Sequence, residues 1–296
     1  MSALFNFIDK INYNLGLRIF KNSNLLSYNL YNHYYKKNIC NLDYLKHEFI
    51  NTYYKNGYAK LGRVNNEKLK ELNKHLEAQK PSNNNEFLFH YKITPEMLKI
   101  LKSILQSDLD EQIKLIESYY NQKLVLTFLT ISRNYPSSKT NETYSNFFHT
   151  DGYAYNMFKI FINLHDVGIE NGPLTLVKKK YSKDFLKKLN YKNRNSYNKD
   201  KLNINDEIFF NNVGKKGEAL LCSTTELIHR AGDPTPGNYR DMIFFNFVAH
   251  PTKENISLFE YEDKIFDDGL IKKLSKIKGL KNLIKYYREN LRKKTL

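Results

Sequence analysis

Apolar residues fall at helical spacing early in the chain and at strand-like spacing later. Residues 1 to about 41 are rich in Tyr, Asn and Leu without a sharp period, and read as a peripheral helical extension. From Leu42 the positions Leu42, Leu45, Phe49, Ile50 and Tyr53 predict a helix that stops at Asn56-Gly57, after which "YAKLG" predicts a short strand. Two more helices are predicted: Pro95 to Leu105, with Thr94 as N-cap, and Asp108 to Tyr120, with acidic residues in its first turn.

Beyond Lys123 the pattern changes. "KLVLTFLTIS", "MFKIFINL", "GEALLC" and "DMIFFNFVAH" are short runs of strand formers separated by Gly, Pro and Asn clusters. Short strands behind a helical layer predict an α+β protein with a β-sandwich or jelly-roll core buttressed by helices. A Lys/Asn-rich stretch at about 178–216 reads as a polar insertion, of a length that is usually functional or disordered. Past Tyr261, apolar residues from Phe266 to Leu291 keep a helical period on a basic background, predicting an amphipathic C-terminal helix over 262–296. Its apolar face either packs on the domain or lies on a membrane surface as a peripheral contact. The main domain is thus expected over 42–261.

With 41% hydrophobic and 14% aromatic residues in 296, the chain can bury a sizeable core. Two cysteines, Cys40 and Cys222, cannot make a disulfide framework, no leader pattern opens the chain, and no apolar run approaches the roughly 18 residues that span a bilayer. The expected location is therefore cytoplasmic. A net charge of +16 favours anionic partners, yet lysine supplies most of it and no zinc-finger, RRM or phosphate-loop spacing accompanies it. Nucleic acid is therefore not the expected partner.

The chemistry concentrates around "FFHTDGYAYNMFKIFINL". In a chain with 8 His and 31 acidic residues, roughly one His-x-acid pair arises by chance, and two occur. His75 and Glu77 fall on a predicted helix, where residues two apart point to different faces, and read as solvated surface. His149 and Asp151 head a strand-like run, where residues two apart share a face. Two histidines and one carboxylate on one face of a metal leave positions open, as a non-haem Fe(II) oxygenase requires. His229 is the best candidate for the second histidine; His165 and His250 are the alternatives in the strand half. Arg240 opens the strand after the "GDPTPGNY" turn, where a guanidinium beside His229 could bind a distal carboxylate, or could be a surface arginine. In the Met157 to Leu164 run, Phe158, Ile160, Ile162 and Leu164 form an apolar face and leave Lys159, Phe161 and Asn163 on the other. That second face either lines a cavity or is wet. Arg133 either meets a ligand or makes a structural ion pair.

Together "ISRNYP", "HTD", "FKIFINLHDVGIENGPLTLV" and "LIHRAGDPTPGNYRDMIFF" resemble the phytanoyl-CoA dioxygenase family of Fe(II)/2-oxoglutarate-dependent oxygenases over about 123–251, with a fainter echo in "FINTYYKNGYAKL". His229 and Arg240 have the family's separation of eleven residues. The resemblance implies a double-stranded β-helix (cupin-like jelly roll) in which His149, Asp151 and His229 hold Fe(II), and Arg240 binds 2-oxoglutarate. It further implies Phe161 beside that cosubstrate, Lys159 and Arg133 as further candidates, and dioxygen as oxidant. The activity implied is hydroxylation of a small molecule, a metabolite, lipid or glycan precursor, with desaturation as a variant. Halogenating relatives lack the carboxylate that Asp151 supplies. Where relatives continue with Pro-Gly-Ser-His, this chain has "VKKKYSKDF", which leaves the metal ligands intact. Lys178, Lys179 and Lys180 there would suit an anionic substrate. The alternative is an inactive jelly-roll module binding an anionic glycan, lipid head group or nucleic acid.

Overall fold

The computed structural model describes residues 46–79, 87–120, 124–137, 144–151, 157–188 and 206–248. The predicted N-terminal extension, the C-terminal helix and the middle of the Lys/Asn-rich stretch lie outside the described residues.

The helical half follows from local signals. Helix α1 (Glu48–Asn56) buries Ile50 and Tyr53 and ends at Gly57 (φ 77°), whose N–H donates to Tyr53 O. A Cβ at Gly57 would stand 3.0 Å from Leu227, so the positive φ and the close approach both call for glycine. Strand β1 (Tyr58–Arg63) follows directly. Helix α2 (Asn66–Glu77) is capped by the Asn65 side chain, which accepts from the N–H groups of Glu67 and Lys68, and it buries Leu69, Leu72 and Leu76 on one face. After β2 (Leu88–His90), helix α3 (Pro95–Ser103) starts as expected, with Thr94 accepting from Met97 N. It then widens into a π-helical turn, Ile104–Asp108, before α4 (Asp110–Tyr120). Asp108 therefore does not open α4. Its carboxylate accepts from Asn65 N and pairs with Lys68 Nζ at 2.5 Å, tying the turn to the start of α2.

The strand half builds two antiparallel sheets. The larger has the order β1-β7-β4-β9-β3-β2, with β3 Val125–Asn134, β4 Met157–Asn163, β7 Glu218–Cys222 and β9 Arg240–Val248. The smaller has the order β6-β5-β8, with β5 Thr175–Val177, β6 Phe209–Asn211 and β8 His229–Arg230. His149 bridges His229 on the remaining edge of β8. From β3 onward the chain visits the larger sheet, the smaller at His149, the larger (β4), the smaller (β5, β6), the larger (β7), the smaller (β8) and the larger (β9).

Side-chain alternation then sorts the layers. One face of the larger sheet (Leu129, Ile131, Phe158, Ile160, Ile162, Leu221, Ile243, Phe245, Phe247) packs with α1–α4 in the main core. The other face brings Phe161, Leu220, Cys222 and Met242 against Leu174, Leu176 and Leu227 beside the smaller sheet. Outside the smaller sheet lies helix α5 (Lys179–Lys188), whose Phe185 packs on Phe148, Val177, Phe209 and Ile228. The stretch read as a polar insertion thus supplies a covering helix and strand β6. Two aromatic anchors, Tyr181 and Phe185, among many lysines left too sparse a pattern to read.

Phe158 stacks between Tyr120 of α4 and Phe247 of β9 (ring centroids 5.7 Å from each) and is fully buried. Phe158→Ala should cost about 3–5 kcal/mol of unfolding free energy, read by chemical denaturation, because the helical layer cannot collapse into the space left.

Candidate metal centre

His149 and His229, 80 residues apart, are brought together by the backbone. His149 N donates to His229 O (2.9 Å) and His229 N to His149 O (2.8 Å), a hydrogen-bonded antiparallel pair whose side chains leave on the same face. Their neighbours Phe148 and Ile228 point the other way, into the cluster under α5. Asp151 N donates to Thr224 O (2.9 Å), which pins the carboxylate two residues beyond His149.

The rings of His149 and His229 lie 4.4 Å apart. Asp151 Oδ1 is 3.9 Å from His149 Nε2, and its Oδ2 is 3.9 Å from His229 Nε2. One ligand atom from each residue falls within 4.8 Å of the others, a spacing that a metal ion can bridge. The donor chemistry fits as well. His149 Nδ1 lies 2.7 Å from Phe147 O, and His229 Nδ1 lies 3.1 Å from Leu227 O. A carbonyl only accepts, so each Nδ1 carries the proton and each Nε2 presents its lone pair inward. Burial holds both imidazoles neutral: desolvation lowers His149, and desolvation with the neighbouring His149 lowers His229 to about 3. For Asp151, burial pushes the carboxyl up most strongly of any single cause, but the neighbouring Lys159 ammonium, His229 and Thr224 together outweigh it and hold the carboxyl well below the usual carboxylate range. Two neutral imidazoles and one carboxylate are the ionisation states that metal binding requires.

Lys159 and Phe161 reach the interior from β4, on the face opposite Phe158 and Ile160. Lys159 Nζ stands 2.7 Å from Asp151 Oδ2, an ion pair without the alignment of a hydrogen bond. Phe161 packs against Leu176 and Met242, with its ring 6.0 Å from that of Phe244. Asn163, the third residue of this face, is buried, and neither amide atom has a hydrogen-bond partner among the described residues.

Arg240 is 1% exposed on the same inner face as Met242 and Phe244. Its Nη2 donates to Asn134 Oδ1 (2.9 Å), while Nε and Nη1 have no partner and no carboxylate pairs with it among the described residues. Desolvation alone lowers its pKa to about 10. It is therefore not a surface arginine.

Arg133 goes elsewhere. Strand alternation puts it on the opposite face of β3 from Asn134, where its Nε and Nη2 donate to both oxygens of Asp241 (2.7 and 2.6 Å) and Tyr239 stacks 3.9 Å from the guanidinium carbon. Of the two readings for Arg133, the structural ion pair is the one the geometry makes. His165 is likewise engaged, accepting at Nε2 from Asp241 N (3.0 Å). His75 and Glu77 lie on α2 at the surface. Of the three lysines after β5, Lys178 donates to Glu207 O and Lys179 to Tyr54 O, so two ammonium groups fasten α5 to its surroundings. Asn134 carries no such signal in the sequence, because a buried asparagine in a strand announces itself only once its face is known; for Asn163, read as lining a cavity or wet, the structure shows a buried position.

No family model matches the chain, and no curated protein matches its sequence. Solved structures align with it at low sequence identity. HygX from Streptomyces hygroscopicus, with nickel and 2-oxoglutarate bound, aligns over 70% of this chain and 87% of its own at 16% identity (TM-score 0.49). The non-haem α-ketoglutarate-dependent epimerase SnoN from nogalamycin biosynthesis aligns over 68% and 81% at 13% identity (TM-score 0.44). AviO1 from Streptomyces viridochromogenes Tue57 aligns over 69% and 95% at 15% identity (TM-score 0.45). Among the described residues no helix is long and apolar enough to cross a membrane.

The buried histidines make the metal-free protein acid-sensitive. With its folded pKa near 3 against about 6.5 unfolded, His229 is neutral in the fold while the unfolded chain gains a proton as pH falls through that window. Stability is therefore lost on acidification. With a chelator present, His229→Gln should flatten the slope of unfolding free energy against pH by about 1.4 kcal/mol per unit between pH 6 and 4, read by denaturant titrations at each pH.

Proposed function

We propose that this chain is an Fe(II)/2-oxoglutarate-dependent oxygenase of the phytanoyl-CoA dioxygenase-like kind, built on a double-stranded β-helix. The alternation of strands between the two sheets supports the jelly-roll reading, and the order His149, Asp151, His229, Arg240 supports the family. His149 and His229 through Nε2, with Asp151, would hold Fe(II). When bound, iron and 2-oxoglutarate together supply oxidative decarboxylation coupled to dioxygen activation and C–H hydroxylation.

The observation that carries the reading is Arg240. A buried guanidinium with one neutral amide partner and two unsatisfied nitrogens is costly unless an anion completes it. A dicarboxylate with one carboxylate on Arg240 would do so, and Phe161 and Phe244 would be the aromatic residues of the same inner face beside it. Phe161 excludes water there, and Asn134 orients the guanidinium. The substrate would be a small organic molecule. An anionic one rests on the remaining lysine charge, since two of the three lysines near the start of α5 are used within the fold.

The ion pair between Lys159 and Asp151 favours a second reading, a metal-free binding module in which lysine takes the place of iron. Anaerobic titration of the Fe(II)-loaded protein with 2-oxoglutarate separates the two. The weak visible charge-transfer band of the chelate should appear in wild type, and Arg240→Met should weaken 2-oxoglutarate binding on the order of a hundredfold, the loss of charge-assisted hydrogen bonds worth about 1.5–3 kcal/mol each. Absence of the band in wild type would leave the binding-module reading.

A further inference from the structure

Lys159 is placed where a metal's charge would act. Its Nζ approaches to 2.7 Å the same Asp151 Oδ2 that faces His229 Nε2 at 3.9 Å. The residue is largely buried: the lysine and aspartate side chains are 17% and 11% exposed. Strand register sets its position. Lys159 lies between Cys222 of β7 and Asn246 of β9, and no larger side chain there holds it off the carboxylate.

We infer that Lys159 is an internal competitor for the metal, neutralising Asp151 in the metal-free protein and weakening the site's hold on a divalent ion; this role rests on the iron-site reading above. An uncompensated carboxylate at this depth is expensive, so the ammonium keeps the empty centre folded with its three ligand groups already converged. The same charge opposes loading. An ammonium and a divalent cation a few ångströms apart repel strongly away from bulk water, so the ion must drive the lysine off Oδ2 before it can use that oxygen. The displaced head has somewhere to go, since the Phe244 ring centroid already lies 5.3 Å from Nζ and its face attracts a cation. Lys159 is thus a positioning residue for Asp151 when metal is absent and a brake on affinity when it arrives.

The test is a Mn(II) titration of the full chain, following free ion by electron paramagnetic resonance, in wild type, Lys159→Met and Lys159→Gln. Glutamine keeps a polar, uncharged head beside Asp151, which guards against the methionine variant failing to fold. Both variants should bind Mn(II) roughly tenfold or more tightly than wild type. Metal-free Lys159→Met should also melt below wild type, and Mn(II) should raise its Tm by more. Wild-type binding with unchanged or weaker affinity in both variants overturns the competitor role alone. Failure of all three proteins to bind removes the iron site and this inference with it.

Discussion

The reciprocal backbone exchange between His149 and His229 is the contact on which the centre depends. Each residue donates to and accepts from the other, so the two rings are held in register by main-chain bonds rather than by side-chain packing. A slip of one residue by either segment would turn its imidazole out and bring its apolar neighbour, Phe148 or Ile228, in, which breaks the pair of histidines. The neighbouring bonds Asp151 N to Thr224 O and Val177 N to Ile228 O resist that slip from both sides. The apolar cluster beneath α5 resists it too, because Phe148 and Ile228 already fill the space behind the pair. A segment that reads as insertion therefore helps to hold the register of the candidate metal centre.

Charge inside the two sheets is unbalanced in an informative way. Asp151 is the carboxylate that faces the histidines, and Lys159 and Arg240 are both cationic on the inner face of the larger sheet. A divalent ion deepens the imbalance, and a dicarboxylate offsets it. The interior is thus electrostatically suited to metal and dianion together better than to metal alone. The opposite face shows the contrast: Arg133 and Asp241, one residue from Asn134 and Arg240 respectively, satisfy each other in a bidentate pair that asks for no ligand.

Much of the architecture could be read directly from residue order. Thr94-Pro95 and Asn56-Gly57 mark helix ends through capping and left-handed backbone chemistry, which depend on neighbours alone, and both appear where expected. The strand runs were legible because strong β formers alternate between two faces, and the split of β4 into Phe158, Ile160 and Ile162 against Lys159, Phe161 and Asn163 follows from that alternation. What failed were local signals overruled by distant partners. Asp108 looks like a helix-opening acid until Lys68 and Asn65 claim it. Helix α5 is hidden because its two aromatic anchors find their partners on the smaller sheet.

Residue order by itself determined the candidate ligands, since His149, Asp151, His229 and Arg240 stand out through residue type, spacing and strand alternation. Tertiary structure decided which of them meet and in what state. The pairing of segments 80 residues apart sets the distance between the histidines. Backbone carbonyls choose their tautomers, and burial sets their charge. Which face of β3 a residue occupies separates Arg133, already paired, from Asn134, which orients Arg240. These outcomes depend on dielectric environment and on contacts remote in sequence, and no local pattern encodes either.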